Sequence, residues 1–171
     1  MKLSYLCFRA FDRISPAESV YAHCDIPCGI YDPISSQLAA MTVVRMVQLF
    51  GELKMGDKPT LEERNTYVQK VSRFTRTKEQ HAEKVETEIV TLWADYFKPE
   101  HKEKFPDLHE LVWKTLKATG AARQNVDLKA AQDLLEHVNK IADIFWQTKG
   151  YKTKKVKAAN PSGCEIIVPV Y

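Results

Sequence analysis

The sequence predicts an all-α fold, an antiparallel four-helix bundle, on three observations. Four segments carry apolar residues at three- and four-residue steps. The connections between them are short and marked by glycine, proline and capping residues. The composition, 44% hydrophobic and 27% charged over 171 residues, suits one globular domain with its own core.

The first helix is expected over Ser35–Met55, where Ala40, Val43, Val47 and Phe50 make an apolar face and Met41, Val44 and Met46 widen it. The methionines are core filling rather than metal ligands. Gly56-Asp57-Lys58-Pro59 reads as a turn, and Thr60 with Glu63 three residues later forms a capping box. The second helix is expected over Leu61–Phe97, with Tyr67, Val71 and Phe74 continued by Val85, Ile89, Leu92 and Tyr96, and with Lys78 and His81 on the same face. Pro99 enforces its end. The third, Asp107–Ala118, uses Leu108, Leu111, Val112 and Leu116 and stops near Gly120. The fourth, Asp127–Lys149, has the cleanest period: Leu128, Ala131, Leu135, Val138, Ala142 and Phe145, with Leu134 and Ile141 alongside. Di-iron bundles need a Glu-x-x-His pattern, and His81 and His137 lack it because residues 78 and 134 are lysine and leucine. His101 and His109 flank Pro106 and read as surface or packing residues.

Ahead of the helices stands His23-Cys24-Asp25-Ile26-Pro27-Cys28-Gly29-Ile30-Tyr31-Asp32-Pro33. An imidazole and two thiols within six residues offer donors for zinc, copper, nickel or an iron–sulfur group. A structural zinc site wants a second ligand pair farther along, and the next cysteine is Cys164. Square-planar nitrogen and sulfur donation points instead to nickel or copper. Were His23 the first residue of a cut chain, its free amine would have a pKa of about 8 and could bind metal. The amine, the Cys24 amide nitrogen and the two sulfurs would complete a plane, with the His23 imidazole approaching from above. In an uncut chain that nitrogen is an amide, so the arrangement requires proteolysis between Ala22 and His23.

This stretch resembles the metal-binding hook of nickel-containing superoxide dismutase, whose mature chain starts His-Cys-Asp-x-Pro-Cys-Gly-x-Tyr. Two further stretches carry the resemblance: Leu92-Trp93-Ala94-Asp95-Tyr96-Phe97-Lys98-Pro99 with Phe105-Pro106-Asp107-Leu108-His109, and Ile141-Ala142-Asp143-Ile144-Phe145-Trp146-Gln147-Thr148-Lys149. The resemblance implies the bundle with an N-terminal metal-binding hook and one nickel ion per subunit, held by the amine and imidazole of His23, the backbone nitrogen and thiolate of Cys24, and the thiolate of Cys28. It implies dismutation of superoxide to dioxygen and hydrogen peroxide by nickel redox cycling. Tyr31 is implied at the hook's mouth, with Asp25 and Pro27 shaping the hook and Tyr96 and His81 as companions. The family pattern steadies the axial histidine with a glutamate and an arginine; the matching positions here are Ala39 and His81. Loss of such outer partners costs about 10–100-fold at metal sites generally, unless His81 or another group substitutes. A homohexamer and a processing peptidase are implied as partners.

Three regions are therefore expected: a leader or propeptide at 1–22, a helical domain at 23–149 with its hook at 23–33, and a basic C-terminal extension at 150–171. The leader's apolar patch is too short and too broken by Arg9, Asp12 and Arg13 for a secretory signal, so processing in a cytoplasmic location is expected. No stretch approaches the length of a membrane span. The net charge of +3 resides in the ends: five lysines and one glutamate in 149–171, against a near-neutral 23–148, which is unlike a nucleic-acid-binding surface. The apolar run Ile166–Val170, interrupted by Pro169, is expected to pack on a neighbouring subunit or to stay flexible, and Cys164 has no evident partner. Two other readings fit the residues: a non-catalytic nickel- or copper-binding protein using the same cut hook, and a helical interaction module with a local Cys24–Cys28 disulfide.

Overall fold

The computed structural model describes residues 29–171, so the donor residues of the hook, His23 to Cys28, lie outside the described residues. Tyr31–Tyr171 form one compact unit. Helix α1 (Ile34–Glu52) starts at Pro33, and the Asp32 carboxylate accepts a hydrogen bond from the Ile34 amide at 2.8 Å. That bond satisfies one of the amides a helix start leaves unpaired. Helix α2 (Leu61–Thr91) begins with the expected capping box: the Glu63 amide donates to Thr60 Oγ1 at 3.2 Å, and the Thr60 amide donates to the Glu63 carboxylate at 2.7 Å. The Thr60 amide, and the Thr60 hydroxyl donating to the same carboxylate at 3.0 Å, hold the Glu63 carboxyl below its ordinary 4.5. Their contribution is therefore present above that value and is lost as the pH falls through the lowered one. Thr60→Ala is expected to lower the melting temperature by about 2–4 °C at neutral pH. The difference from wild type should shrink in thermal melts run well below pH 4.5.

After Thr91 the helix widens into a π turn over Leu92–Tyr96, closed by the Phe97 amide donating to the Leu92 carbonyl at 2.9 Å. Helix α3 (Pro99–Lys104) is a short piece with proline in its first turn, where the missing N–H costs nothing. Helices α4 (Leu108–Gln124) and α5 (Leu128–Thr148) follow, α5 capped by the Asp127 carboxylate. Val43 and Val44 of α1, Val85 and Ile89 of α2, Val112 of α4, and Leu134, Val138, Ile141 and Phe145 of α5 close the core. Helix α1 packs on α2 and α5, and α4 on α2 and α5.

The fold departs from an all-α four-helix bundle. The described residues hold five α-helices and a two-stranded antiparallel sheet, β1 (Lys152–Lys157) and β2 (Glu165–Val170). Two physical reasons account for the difference. Pro99 stops the long helix and at once nucleates another turn of six residues. The tail has an apolar strand that finds cover on α5 of its own chain. Its register runs from Lys152 opposite Val170 to Lys157 opposite Glu165, with Pro169 opposite Thr153. Proline is tolerated there because that strand position need not donate to the ladder. The hairpin turns through Gly163 at φ +69°, a backbone conformation that suits glycine. Gly120 lies inside α4 rather than at its end; Ala121 and Ala122 carry the helix on to Gln124, and Ala122 is buried. Among the described residues no helix is long and apolar enough to cross a membrane.

Candidate metal centre

The described part of the hook stretch begins at Gly29, at φ +71° with open space where a Cβ would stand. Ile30 is 73% exposed, Tyr31 is half-buried, and Pro33 passes the chain into α1. The Pro33 carbonyl accepts from the Gln37 amide at 3.1 Å and from Ser36 Oγ at 2.8 Å, which fixes the point where the stretch joins the helix.

Tyr31 leans against Tyr96, ring centroids 5.5 Å apart and planes tilted by 53°. Tyr96 owes its place to the π turn, which inserts one residue into the helical register just before the chain leaves the helix. Its ring packs 4.5 Å from Phe145 of α5 and stacks at 5.6 Å on His101. The Tyr96 hydroxyl lies 2.6 Å from Thr148 Oγ1, and Thr148 donates its only hydrogen to the Phe145 carbonyl at 2.6 Å, so Tyr96 is the donor of the pair. Burial pushes the Tyr96 phenol above its ordinary range. Lys149 Nζ lies 5.0 Å from the centre of the same ring and 5.7 Å from Phe145. Tyr31 thus has a neutral phenol behind it, and that phenol has a cation over its face. The resemblance assigns no role to Phe145, Thr148 or Lys149, although all three fall in the stretch Ile141–Lys149 that carries it.

The structure does not join every expected residue to this group. His81 is half-buried on α2 and its Nδ1 lies 2.8 Å from the Thr77 carbonyl of its own helix. A carbonyl only accepts, so Nδ1 carries the proton there. Ala39 is buried beside Ala40 and Val43 in the apolar core, where a carboxylate would need a paired partner. His23, Cys24, Asp25, Pro27 and Cys28 lie outside the described residues. His101 Nδ1 accepts from the Lys98 amide at 3.2 Å, and His109 packs on Trp93 at 5.2 Å, so both are engaged in local packing. Among the described residues no three His, Cys, Asp or Glu side chains come together to hold a metal ion.

Residues 18–149 match the family described as nickel-containing superoxide dismutase. The chain is 39% identical over 135 residues to the nickel superoxide dismutase of Streptomyces coelicolor and 36% identical over 135 residues to that of Streptomyces seoulensis; each match covers 79% of this chain and 94% of the relative. A native nickel superoxide dismutase structure superposes with a TM-score of 0.63 at 39% identity, over 74% of this chain and 99% of that one. The hairpin after Lys149 lies beyond the family match. With two-fifths identity across nearly the whole of its relatives and the hook run inside the matched residues, the chain belongs to the nickel-containing superoxide dismutase family.

Proposed function

We propose that this chain, once cut between Ala22 and His23, is a nickel-dependent superoxide dismutase that converts two superoxide ions and two protons to dioxygen and hydrogen peroxide. The observation that carries the reading is the run His23-Cys24-Asp25-Ile26-Pro27-Cys28-Gly29-Ile30-Tyr31 inside the residues that match the family. Its donor set fits nickel: two soft thiolates, a backbone nitrogen and, after cleavage, an amine with the His23 imidazole beside it. Bound nickel, one ion per chain, supplies a one-electron couple that anionic donors bring into range of both halves of the dismutation.

The remaining chemistry belongs to the chain. Cleavage turns the His23 amide into an amine with a pKa of about 8, able to donate at neutral pH. Cys24 and Cys28 act as thiolates, so loading releases protons and weakens in acid. Asp25 and Pro27 shape the hook. Tyr31 follows Cys28 by three residues, at most about 11 Å of chain; its phenol orders water and limits the approach of anions. Tyr96, its hydroxyl committed to Thr148, backs the Tyr31 ring, and Lys149 brings positive charge to within 5.0 Å of the Tyr96 ring centre. That charge favours an anionic substrate, most strongly at low salt.

His81, at the position of the family's arginine, substitutes for it as an outer partner of the His23 imidazole, while the glutamate's position is Ala39. His81→Ala is expected to lower turnover about 10–100-fold and to alter the spectrum of the oxidised nickel protein; an unchanged spectrum and rate would remove His81 from the site. We assign the chain to the cytoplasm, with a processing peptidase, and to a homohexamer, supported by exposed apolar side chains at Ile30, Leu38 and Trp113. The deciding experiment is co-expression with the peptidase, followed by N-terminal sequencing, metal analysis and superoxide decay on one sample. One nickel per chain beginning at His23, with turnover, is the expected result.

A further inference from the structure

We infer that the C-terminal hairpin braces the end of α1 from which the hook leaves, with Gln37 as the positioning residue; this rests on the proposal that residues 23–33 hold the metal. Gln37 lies in the first turn of α1 and is 1% exposed. Its backbone amide is one of two donors that fix the Pro33 carbonyl, the last residue of the hook stretch. Its side-chain amide donates to Ile167 O of β2 at 3.0 Å and to Asn139 Oδ1 of α5 at 2.9 Å. Asn139, also buried, donates in turn to Glu165 O of β2 at 2.9 Å.

Two buried amides therefore tie together α1, α5 and the hairpin, and they occupy carbonyls on the edge of β2. Apolar packing alone would hold these elements together without fixing their register. Buried amides are directional, and each unmatched partner costs free energy, so they hold one relative position. Lys155 adds a second attachment, 3.7 Å from Glu136 of α5 and 3.8 Å from Glu165 of β2. The hairpin belongs to the part of the chain beyond residues 18–149. It is attached at the root of the hook through Gln37 and again farther along α1, where Gln48 Nε2 donates to the Ser162 carbonyl of the hairpin turn at 2.9 Å.

The test is amide hydrogen exchange on the full chain, which needs neither cleavage nor nickel. Gln37→Leu should speed exchange at residues 37–40 about tenfold while residues 112–119 of α4 stay within about twofold. Because that variant leaves Asn139 Oδ1 and the Ile167 carbonyl without their donor and can lose stability, Gln37→Leu with Asn139→Leu is measured beside it. The double variant removes both amides, which favours global recovery, yet leaves the Glu165 and Ile167 carbonyls of β2 without these donors. Local acceleration at residues 37–40 should persist in it. Unchanged exchange there in both variants, or an equal rise across α1 and α4, overturns the brace. In processed, nickel-loaded protein the double variant should shift the thiolate-to-metal absorption bands and lower kcat with KM held. A wild-type protein without nickel-dependent turnover would remove the proposed function, and the exchange result would still decide the brace.

Discussion

A chain that keeps residues 1–22 should show at least a 100-fold loss of superoxide turnover relative to the processed protein, a larger drop than loss of an outer partner causes. The reason is chemical. The His23 nitrogen is an amide before cleavage: its lone pair is delocalised into the carbonyl, and it offers no amine donor near neutral pH. Cys24 and Cys28 would then hold the ion with too few strong donors for a planar site. The comparison uses an uncleavable Ala22–His23 junction against the processed chain, each loaded with nickel, with superoxide decay followed by stopped flow and nickel counted per chain. Cys28→Ser in the processed chain should fall as far, because a hydroxyl is a poor replacement for a thiolate toward nickel. Full turnover in a chain demonstrably beginning at Met1 would end the amine-ligand mechanism.

How far the molecule was legible in its sequence differs from element to element. In α5 the apolar period points inward almost residue for residue: Ala131, Leu135, Val138, Ala142 and Phe145 are buried, and only Leu128, in the first turn, is 40% exposed. The capping box at Thr60 and Glu63 was equally readable, because its partners are three residues apart. What failed to show was long-range. The strand Lys152–Lys157 is mostly lysine, so its pattern resembles a solvated tail; it becomes a strand because β2 pairs with it and α5 covers the hairpin. The π turn at Leu92–Tyr96 is set by packing, and no local residue pattern demands it. The resemblance singled out Tyr31 and Tyr96 separately, and their mutual contact depends on that turn. Gln37 and Asn139 read as ordinary polar residues until β2 arrives beside them.

Lys78 carries the largest expected stability effect. It was placed by sequence on the apolar face of α2, and it is buried there, 2% exposed. Its ammonium donates to the carbonyls of Ala122, Arg123 and Asn125 at 2.5, 2.7 and 2.8 Å, capping the C-terminal end of α4. These are among the carbonyls a helix end leaves without partners, and the negative end of the helix dipole favours a cation there. Burial pushes the Lys78 pKa below the ordinary lysine range, with Glu79 pulling it back. The fold therefore bears a desolvation cost that the three carbonyls offset. Lys78→Met removes that cost, worth several kcal/mol in principle, but it also removes three charge-assisted bonds of about 1.5–3 kcal/mol each. It leaves the Ala122 carbonyl without this donor in the interior. The bonds outweigh the desolvation, and a net loss of about 2–4 kcal/mol is expected. In a domain of this size that lowers the melting temperature by about 5–12 °C. Lys78→Arg should fail to restore it, since a planar guanidinium cannot aim three donors at one clustered set of carbonyls as an ammonium does. Thermal melts of the three proteins at one pH decide the point: a Lys78→Met protein as stable as wild type would show that the cap adds nothing to the fold.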